Sequence, residues 1–77
     1  MTYTNALQVF FERLNYKHSI KGDSFRDMPM EDLDDILMSE YYEWQEAPPN
    51  THHEIEELTD IMVACVIKLE KLLEPKE

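Results

Sequence analysis

Apolar residues recur along this chain at intervals of three and four, the spacing that places side chains on one face of an α-helix. Three segments show the pattern and predict helices over residues 4–16, 29–47 and 51–74. No segment shows the strict alternation of apolar and polar residues that is typical of a half-buried strand. The 77 residues predict a single all-α domain over residues 1–77.

Local signals set the ends of the first two helices. Thr4 is a suitable N-terminal cap for the first helix, and a polar connection from Lys17 to Asp27 follows it. Pro29 suits the first turn of the second helix because its φ is fixed near the helical value. That helix should stop before Pro48, since a residue that precedes proline avoids the helical region.

The third helix begins with a capping pattern. Thr51 is followed three residues later by Glu54, as in a capping box, and Pro75 ends the helix after about Glu74. Its middle is apolar on nearly every side, which predicts a central helix that is covered from several directions. The stripe predicted to pack consists of Ile55, Leu58, Met62, Leu69 and Leu73.

Two pairs of acidic residues stand at helical spacing, Glu40 with Glu43 and Glu57 with Asp60. Residues three apart share a helix face, so two packed helices would bring four carboxylates to one point. Glu40 also falls inside the apolar stripe of the second helix, where an ionised carboxylate costs several kcal/mol unless a metal cation or a paired Lys or Arg compensates it. Hard divalent cations would satisfy such a cluster and would in turn bind phosphates.

The segments over residues 40–47 and 57–63, EYYEWQEA and ELTDIMV, resemble the MazG-like all-α nucleoside triphosphate pyrophosphohydrolases. The resemblance implies that Glu40, Glu43, Glu57 and Asp60 hold Mg²⁺, with Mn²⁺ as a substitute, and are the catalytic residues. It also implies attack of water at the α-phosphorus, which yields a nucleoside monophosphate and pyrophosphate.

The chain departs from that family at two places. Ser39 precedes Glu40 where many members have a second acid, and many members continue into a fourth helix. The resemblance therefore implies a three-helix subunit that completes a four-helix-type bundle with another copy, as a homodimer or homotetramer. A bound metal or self-association is also expected from size, because a domain this small buries only about 60% of its unfolded surface.

Five residues are candidates for binding the nucleoside triphosphate. The basic candidates for phosphate contacts are Lys68, Lys71, Lys17 and Arg13. Trp44 could stack on a base, since every base has a π-face. Its place on the apolar stripe favours packing over stacking.

Charge and composition exclude several partners. The formal net charge is −10, with 17 acidic against 7 basic residues, which argues against nucleic acid polymers and anionic membranes. The N-terminus shows no targeting pattern, and the longest apolar run is too short to span a membrane. The only cysteine, Cys65, is expected to be a buried thiol in a reducing cytoplasm. No metal role is expected for His18, His52 or His53.

Alternative functions remain open at this point. The acidic helices could form a non-enzymatic interaction module that binds a basic partner. A relative of the pyrophosphohydrolases could also bind nucleotides without cleaving them, or could act only on dUTP or phosphoribosyl-ATP.

Overall fold

The computed structural model describes residues 2–24 and 27–74, apart from the side chains of Lys21 and Asp23. Phe25 and Arg26 of the predicted connection lie outside the described residues. Within the described ranges there is no strand, which confirms the all-α fold class. The elements are α1 (Thr4–Lys21), a 3₁₀ turn (Gly22–Ser24), α2 (Met30–Glu46) and α3 (His52–Leu73).

Helix α1 is longer than its apolar pattern predicts. The prediction that it ends at Tyr16 is wrong, because neither proline nor glycine interrupts the backbone before Gly22. Gly22 has φ +58°, in the left-handed region that glycine adopts readily, and its N–H donates to the carbonyl of His18. The prediction that Thr4 caps the helix is also wrong, since Tyr3 is the N-cap and no side chain caps this end.

Helix α2 begins one residue after the predicted proline. The backbone N–H groups of Asp32 and Leu33 donate to the carbonyl oxygen of Pro29 over 3.0 and 3.2 Å. Its C-terminal end at Glu46 confirms that the helix stops before the two prolines.

The start of α3 confirms the cap predicted at Thr51. Its hydroxyl accepts a hydrogen bond from the backbone N–H of Glu54 at 3.3 Å and donates one to the carbonyl of Pro48 at 2.6 Å. The carboxylate of Glu54 accepts from the backbone N–H of Asn50 at 2.7 Å. The reciprocal bond of the capping box is therefore made one residue earlier than the standard pattern.

Helix α3 packs against both α1 and α2, as predicted for a central helix. The side of α3 that faces them carries Asp60, Val63 and Ala64, all of which are buried. Phe10 and Leu33 are buried on α1 and α2, and Ala47 is buried just after α2.

The stripe predicted to pack lies instead on the outer side of α3. Its side chains are between 36% and 68% exposed, and Cys65 is exposed beside them, so both predictions of burial are wrong. Because α3 is apolar nearly all round, periodicity alone could not select the face that α1 and α2 cover. None of the described helices is long and apolar enough to cross a membrane.

Candidate metal centre

Three carboxylates from two helices converge between α2 and α3. Glu40 comes from α2, and Glu57 and Asp60 come from neighbouring turns of α3. One oxygen atom from each lies within 4.8 Å of the other two. Three of the four acids selected from the sequence are thus brought together. Glu43 is exposed and lies outside this group, but its charge raises the pKa of both Glu40 and Glu57.

Burial makes Glu40 and Glu57 reluctant to ionise. Burial raises the pKa of Glu40 to about 7, and the nearby Lys17 offsets part of that effect. Burial is also the main cause of the raised pKa of Glu57, with the charge of Glu43 next. A carboxylate that loses water without gaining a cation or a donor favours its neutral form.

Two oxygen atoms in the cluster lack a partner. Glu40 Oε2 and Glu57 Oε2 are buried and accept no hydrogen bond from the described residues. A buried acceptor without a donor costs about 1–3 kcal/mol. Carboxylate oxygens are the protein ligands that Mg²⁺ prefers. The donor set and the two unpartnered oxygens therefore fit a hard divalent cation.

Two basic side chains of α1 reach the same cluster. Arg13 donates to Asp60 through Nε at 2.6 Å and through Nη2 at 3.2 Å. Lys17 Nζ lies 3.5 Å from Asp60 Oδ1 and 3.9 Å from Glu40 Oε1. The hydrogen bond with Asp60 is the main reason that the pKa of Arg13 is raised. Lys17 reaches the acids because α1 continues past Tyr16, which places Lys17 one turn after Arg13.

The structure places the lysines of α3 differently. Lys68 forms an ion pair with Asp34 of α2, and the side chain of Asp34 is about half exposed. Lys71 lies in the last turn of α3, and within the described part of the chain no ion pair joins it to the three converging acids. Neither lysine is brought into the cluster.

Trp44 links the end of α2 to the start of α3. Its Nε1–H donates to Glu54 Oε2 at 3.0 Å, and its ring lies 5.9 Å from that of Tyr41. Since Glu54 also holds the capping interactions of α3, the indole is tied to the connection between the helices. This placement agrees with the packing role favoured for Trp44.

Two hollows flank the ion pairs. A cavity of about 20 Å³ beside Glu40 and Asp60 has room for about one water molecule. A more open groove of about 230 Å³ runs between α1 and α3, where Arg13 lies 5.3 Å from the ring centre of Tyr16.

Sequence reasoning assigned no site role to two residues that lie beside the acids or beside Arg13. Tyr16 lines the groove three positions after Arg13, a spacing that places both on one side of α1. His53 Nε2 lies 3.7 Å from Glu57 Oε1, four positions earlier on α3. Helical spacing from Arg13 and from Glu57 could have selected both.

The cluster brings three acids, two of them with an oxygen that lacks a partner, to one place between the three helices. The long basic side chains of Arg13 and Lys17 reach the same place. The three carboxylates of the cluster could hold a cation, and the basic groups of Arg13 and Lys17 lie beside them. No protein-family model, no curated protein and no solved structure matches this chain.

Proposed function

We propose that this protein is a Mg²⁺-dependent nucleoside triphosphate pyrophosphohydrolase of the MazG-like type, which acts in the cytoplasm. It would convert a nucleoside or deoxynucleoside triphosphate into the monophosphate and pyrophosphate. The observation that carries the proposal is the convergence of Glu40, Glu57 and Asp60 with two buried oxygens that lack a donor.

In this proposal the three converging carboxylates hold the cation. When bound, Mg²⁺ would neutralise phosphate charge and make a nearby water more acidic, and Mn²⁺ could replace it. Glu43 stands at the rim of the cluster and is exposed. It is therefore the residue we assign to receive the proton of the water that attacks the α-phosphorus.

Arg13 and Lys17 would change partner when the site is filled. In the structure they neutralise Asp60 and, for Lys17, also Glu40. A cation on the same carboxylates removes the need for that pairing and leaves both side chains available for phosphate oxygens. An arginine fork suits phosphate as well as carboxylate. This exchange would allow a protein with net charge −10 to accept an anionic substrate.

A nucleotide needs a larger pocket volume than these two hollows of one subunit provide. Their volumes are about 20 and 230 Å³, whereas ligand pockets usually occupy about 300–1,000 Å³. We therefore include in the proposal a homodimer or homotetramer in which another copy completes a four-helix-type bundle and the pocket. Lys68, Lys71 and Trp44 remain candidates for contacts with a substrate held in that way.

One observation favours a second function. Arg13 pairs with Asp60 through two hydrogen bonds, so the most buried acid of the cluster is neutralised without any metal. A helical interaction module would show such a pair for structural reasons alone. It would need neither Mg²⁺ nor a nucleotide.

The test is pyrophosphate release from a panel of nucleoside and deoxynucleoside triphosphates, with Mg²⁺ and with EDTA. Glu57→Gln removes one charge from a carboxylate whose Oε2 has no partner, so it disturbs folding less than a change at Asp60. Glu56→Gln is the matched control, because it is the same substitution one position earlier on a side chain that is 44% exposed.

We expect Mg²⁺-dependent release from the wild type, a loss of at least about 100-fold in Glu57→Gln, and little change in Glu56→Gln. Equal rates in the two variants would remove Glu57 from the site. A folded wild type that releases no pyrophosphate from any nucleotide would favour the interaction module.

A further inference from the structure

An apolar seam with heptad spacing lies exposed along α3. Starting at Ile55, the residues alternate at intervals of three and four, the pattern of the a and d positions of a coiled coil. Five of the six are between 36% and 54% exposed, and the sixth, Cys65, is exposed as well. The seam consists of Ile55, Leu58, Met62, Cys65, Leu69 and Leu72.

The seam faces away from the rest of the subunit. Val63 and Ala64, which pack towards α1 and α2, are buried on the other side of the same helix. The seam extends for about 26 Å at ~1.5 Å per residue. It carries no charge, although 31% of the residues in the chain are charged. An uncharged face of this length on so acidic a chain indicates a surface that is covered in the working protein.

The accessible surface of the chain is larger than its mass predicts. The chain exposes 6088 Å², whereas a folded monomer of this mass exposes about 4,900 Å². The excess is about 1,200 Å², and a stable interface covers about 800 Å² on each partner. The subunit therefore has enough uncovered surface for a contact of the size that a stable dimer needs.

We propose that the seam binds the seam of a second copy of this chain in an antiparallel, two-fold symmetric contact. The intervals along the seam are the same in both directions, so an antiparallel copy keeps every apolar residue opposite another. Ile55 then faces Leu72 of the partner subunit, and Leu58 faces Leu69 of the partner subunit. Met62 and Cys65 lie beside the two-fold axis. Such a self-complementary patch is the usual form of a symmetric dimer interface.

Charge selects the antiparallel orientation. The first half of α3 carries three acids besides Asp60, which Arg13 neutralises, and the second half carries two lysines and one acid. The three acids are Glu54, Glu56 and Glu57, and the second half contains Lys68, Lys71 and Glu70. A parallel pair would set the acidic half of one copy beside the acidic half of the other, which is unfavourable between like charges. An antiparallel pair sets the acidic half of each copy beside the lysine-bearing half of the other.

The association is tested by sedimentation of the full chain at low and high micromolar concentration. Leu58→Glu introduces a charge into the seam at a half-exposed position, so the subunit itself should remain folded. Tyr42→Glu is the matched control, because Tyr42 is 56% exposed on α2, on the side opposite the buried Leu33. We expect a dimer for the wild type and Tyr42→Glu, and a dissociation constant raised at least about 100-fold for Leu58→Glu.

The wild type supplies a readout that does not depend on any variant. The melting temperature of a dimer rises with protein concentration, whereas that of a monomer does not. A wild type that sediments as a monomer at high micromolar concentration and melts independently of concentration would overturn the proposal. A dimer that Tyr42→Glu and Leu58→Glu weaken equally would also overturn it, because the contact would then lie elsewhere.

The orientation is tested with cysteines in a Cys65→Ser background. Ile55→Cys and Leu72→Cys are made separately, mixed in equal amounts and oxidised. An antiparallel seam predicts crosslinks between the two different variants, whereas a parallel seam predicts crosslinks within each variant and would overturn the orientation. The dimer would supply the second copy that the proposed function includes, and the two proposals fail separately. Leu58→Glu is read by sedimentation alone, whereas Glu57→Gln is read by pyrophosphate release at the same state of association as the wild type.

Discussion

Arg13 and Asp60 are joined by two hydrogen bonds across 47 positions of sequence, with Arg13 Nε 2.6 Å and Nη2 3.2 Å from the carboxylate oxygens. Only 6% of the Asp60 side chain is exposed. The pair therefore holds α1 against α3 through a buried charge as well as through apolar contacts. The pair also places the Arg13 side chain against a carboxylate that would bind the metal ion in the proposed function.

Removing the guanidinium should destabilise the metal-free protein. Arg13→Gln leaves Asp60 buried with Lys17 as its remaining cation at 3.5 Å. We expect the free energy of unfolding in EDTA to fall by about 2 kcal/mol, less than the loss of an isolated buried partner because Lys17 compensates in part. The measurement is urea denaturation followed by circular dichroism.

Lys68→Gln is the control for this experiment. It removes a basic residue from an ion pair whose acid, Asp34, is 51% exposed, and such pairs contribute about 0–1 kcal/mol. With Mg²⁺ in place of EDTA, the deficit of Arg13→Gln should shrink, since the cation neutralises Asp60 instead. Equal losses in the two variants, or a deficit that Mg²⁺ leaves unchanged, would contradict the assignment of Asp60 to a metal site.

The stability of the metal-free protein should depend on the charge of Glu40. Burial raises the pKa of this carboxyl from 4.5 to about 7, so between these values the folded protein holds a proton that the unfolded chain releases. The resulting stabilisation is complete below about pH 4.5 and is lost as the pH rises through 7. Deprotonated Glu40 then carries a charge that Lys17 offsets only in part.

Glu40→Gln stays neutral at every pH and should remove this dependence. In EDTA we expect its free energy of unfolding to match that of the wild type near about pH 5 and to exceed it by about 1 kcal/mol near about pH 8, a figure reduced for partial solvation. Urea denaturation across this range measures the difference, and groups common to both proteins cancel. Two curves that remain parallel would show that Glu40 titrates normally.

The predictions from sequence that hold are those set by neighbouring residues. The break at Pro48 and the cap at Thr51 act within one helical turn, and the structure confirms both. The predicted end of α1 at Tyr16 was wrong because the polar residues that follow have the composition of a loop. The helix ends only at Gly22. The error concealed the position of Lys17, which a loop would not have fixed relative to Arg13.

The predictions that fail depend on contacts distant in sequence. Leu58 and Asp60 both lie on α3, and the apolar pattern predicted that Leu58 would be covered. Arg13 of α1 instead pairs with Asp60, and this side of the helix becomes the packed one. The spacing of the acids predicted that they converge. It could not predict that Arg13 neutralises Asp60, since no local pattern connects α1 with α3.

Trp44 should act as a structural residue. Its Nε1–H donates to Glu54 Oε2, and the other oxygen of Glu54 accepts from the backbone N–H of Asn50. Trp44→Phe keeps the ring but removes one hydrogen bond, so we expect a loss of about 1 kcal/mol in the free energy of unfolding. Pyrophosphate release should stay within about twofold of the wild type, because phenylalanine can still stack on a base if that is needed.

Glu54→Gln distinguishes the hydrogen bond from the ring. It weakens the same carboxylate interactions while leaving the indole in place, so its stability should fall and the fluorescence of Trp44 should change. If Trp44→Phe instead retained full stability and lost most of its activity, the indole would have to contact the substrate.

Lys17 should affect substrate binding more than Lys68 does. Lys17 Nζ lies within 4 Å of both Asp60 and Glu40, whereas Lys68 is paired with Asp34. If Lys17 transfers to a phosphate oxygen when the cation binds, Lys17→Gln loses a charge-assisted hydrogen bond of about 1.5–3 kcal/mol. Steady-state kinetics with saturating Mg²⁺ should then show a KM raised at least about tenfold, while Lys68→Gln stays within about twofold. A normal KM with a lowered melting temperature would mean that Lys17 serves only to neutralise the buried acids, and the phosphate contacts would have to come from Arg13 or from another copy of the chain.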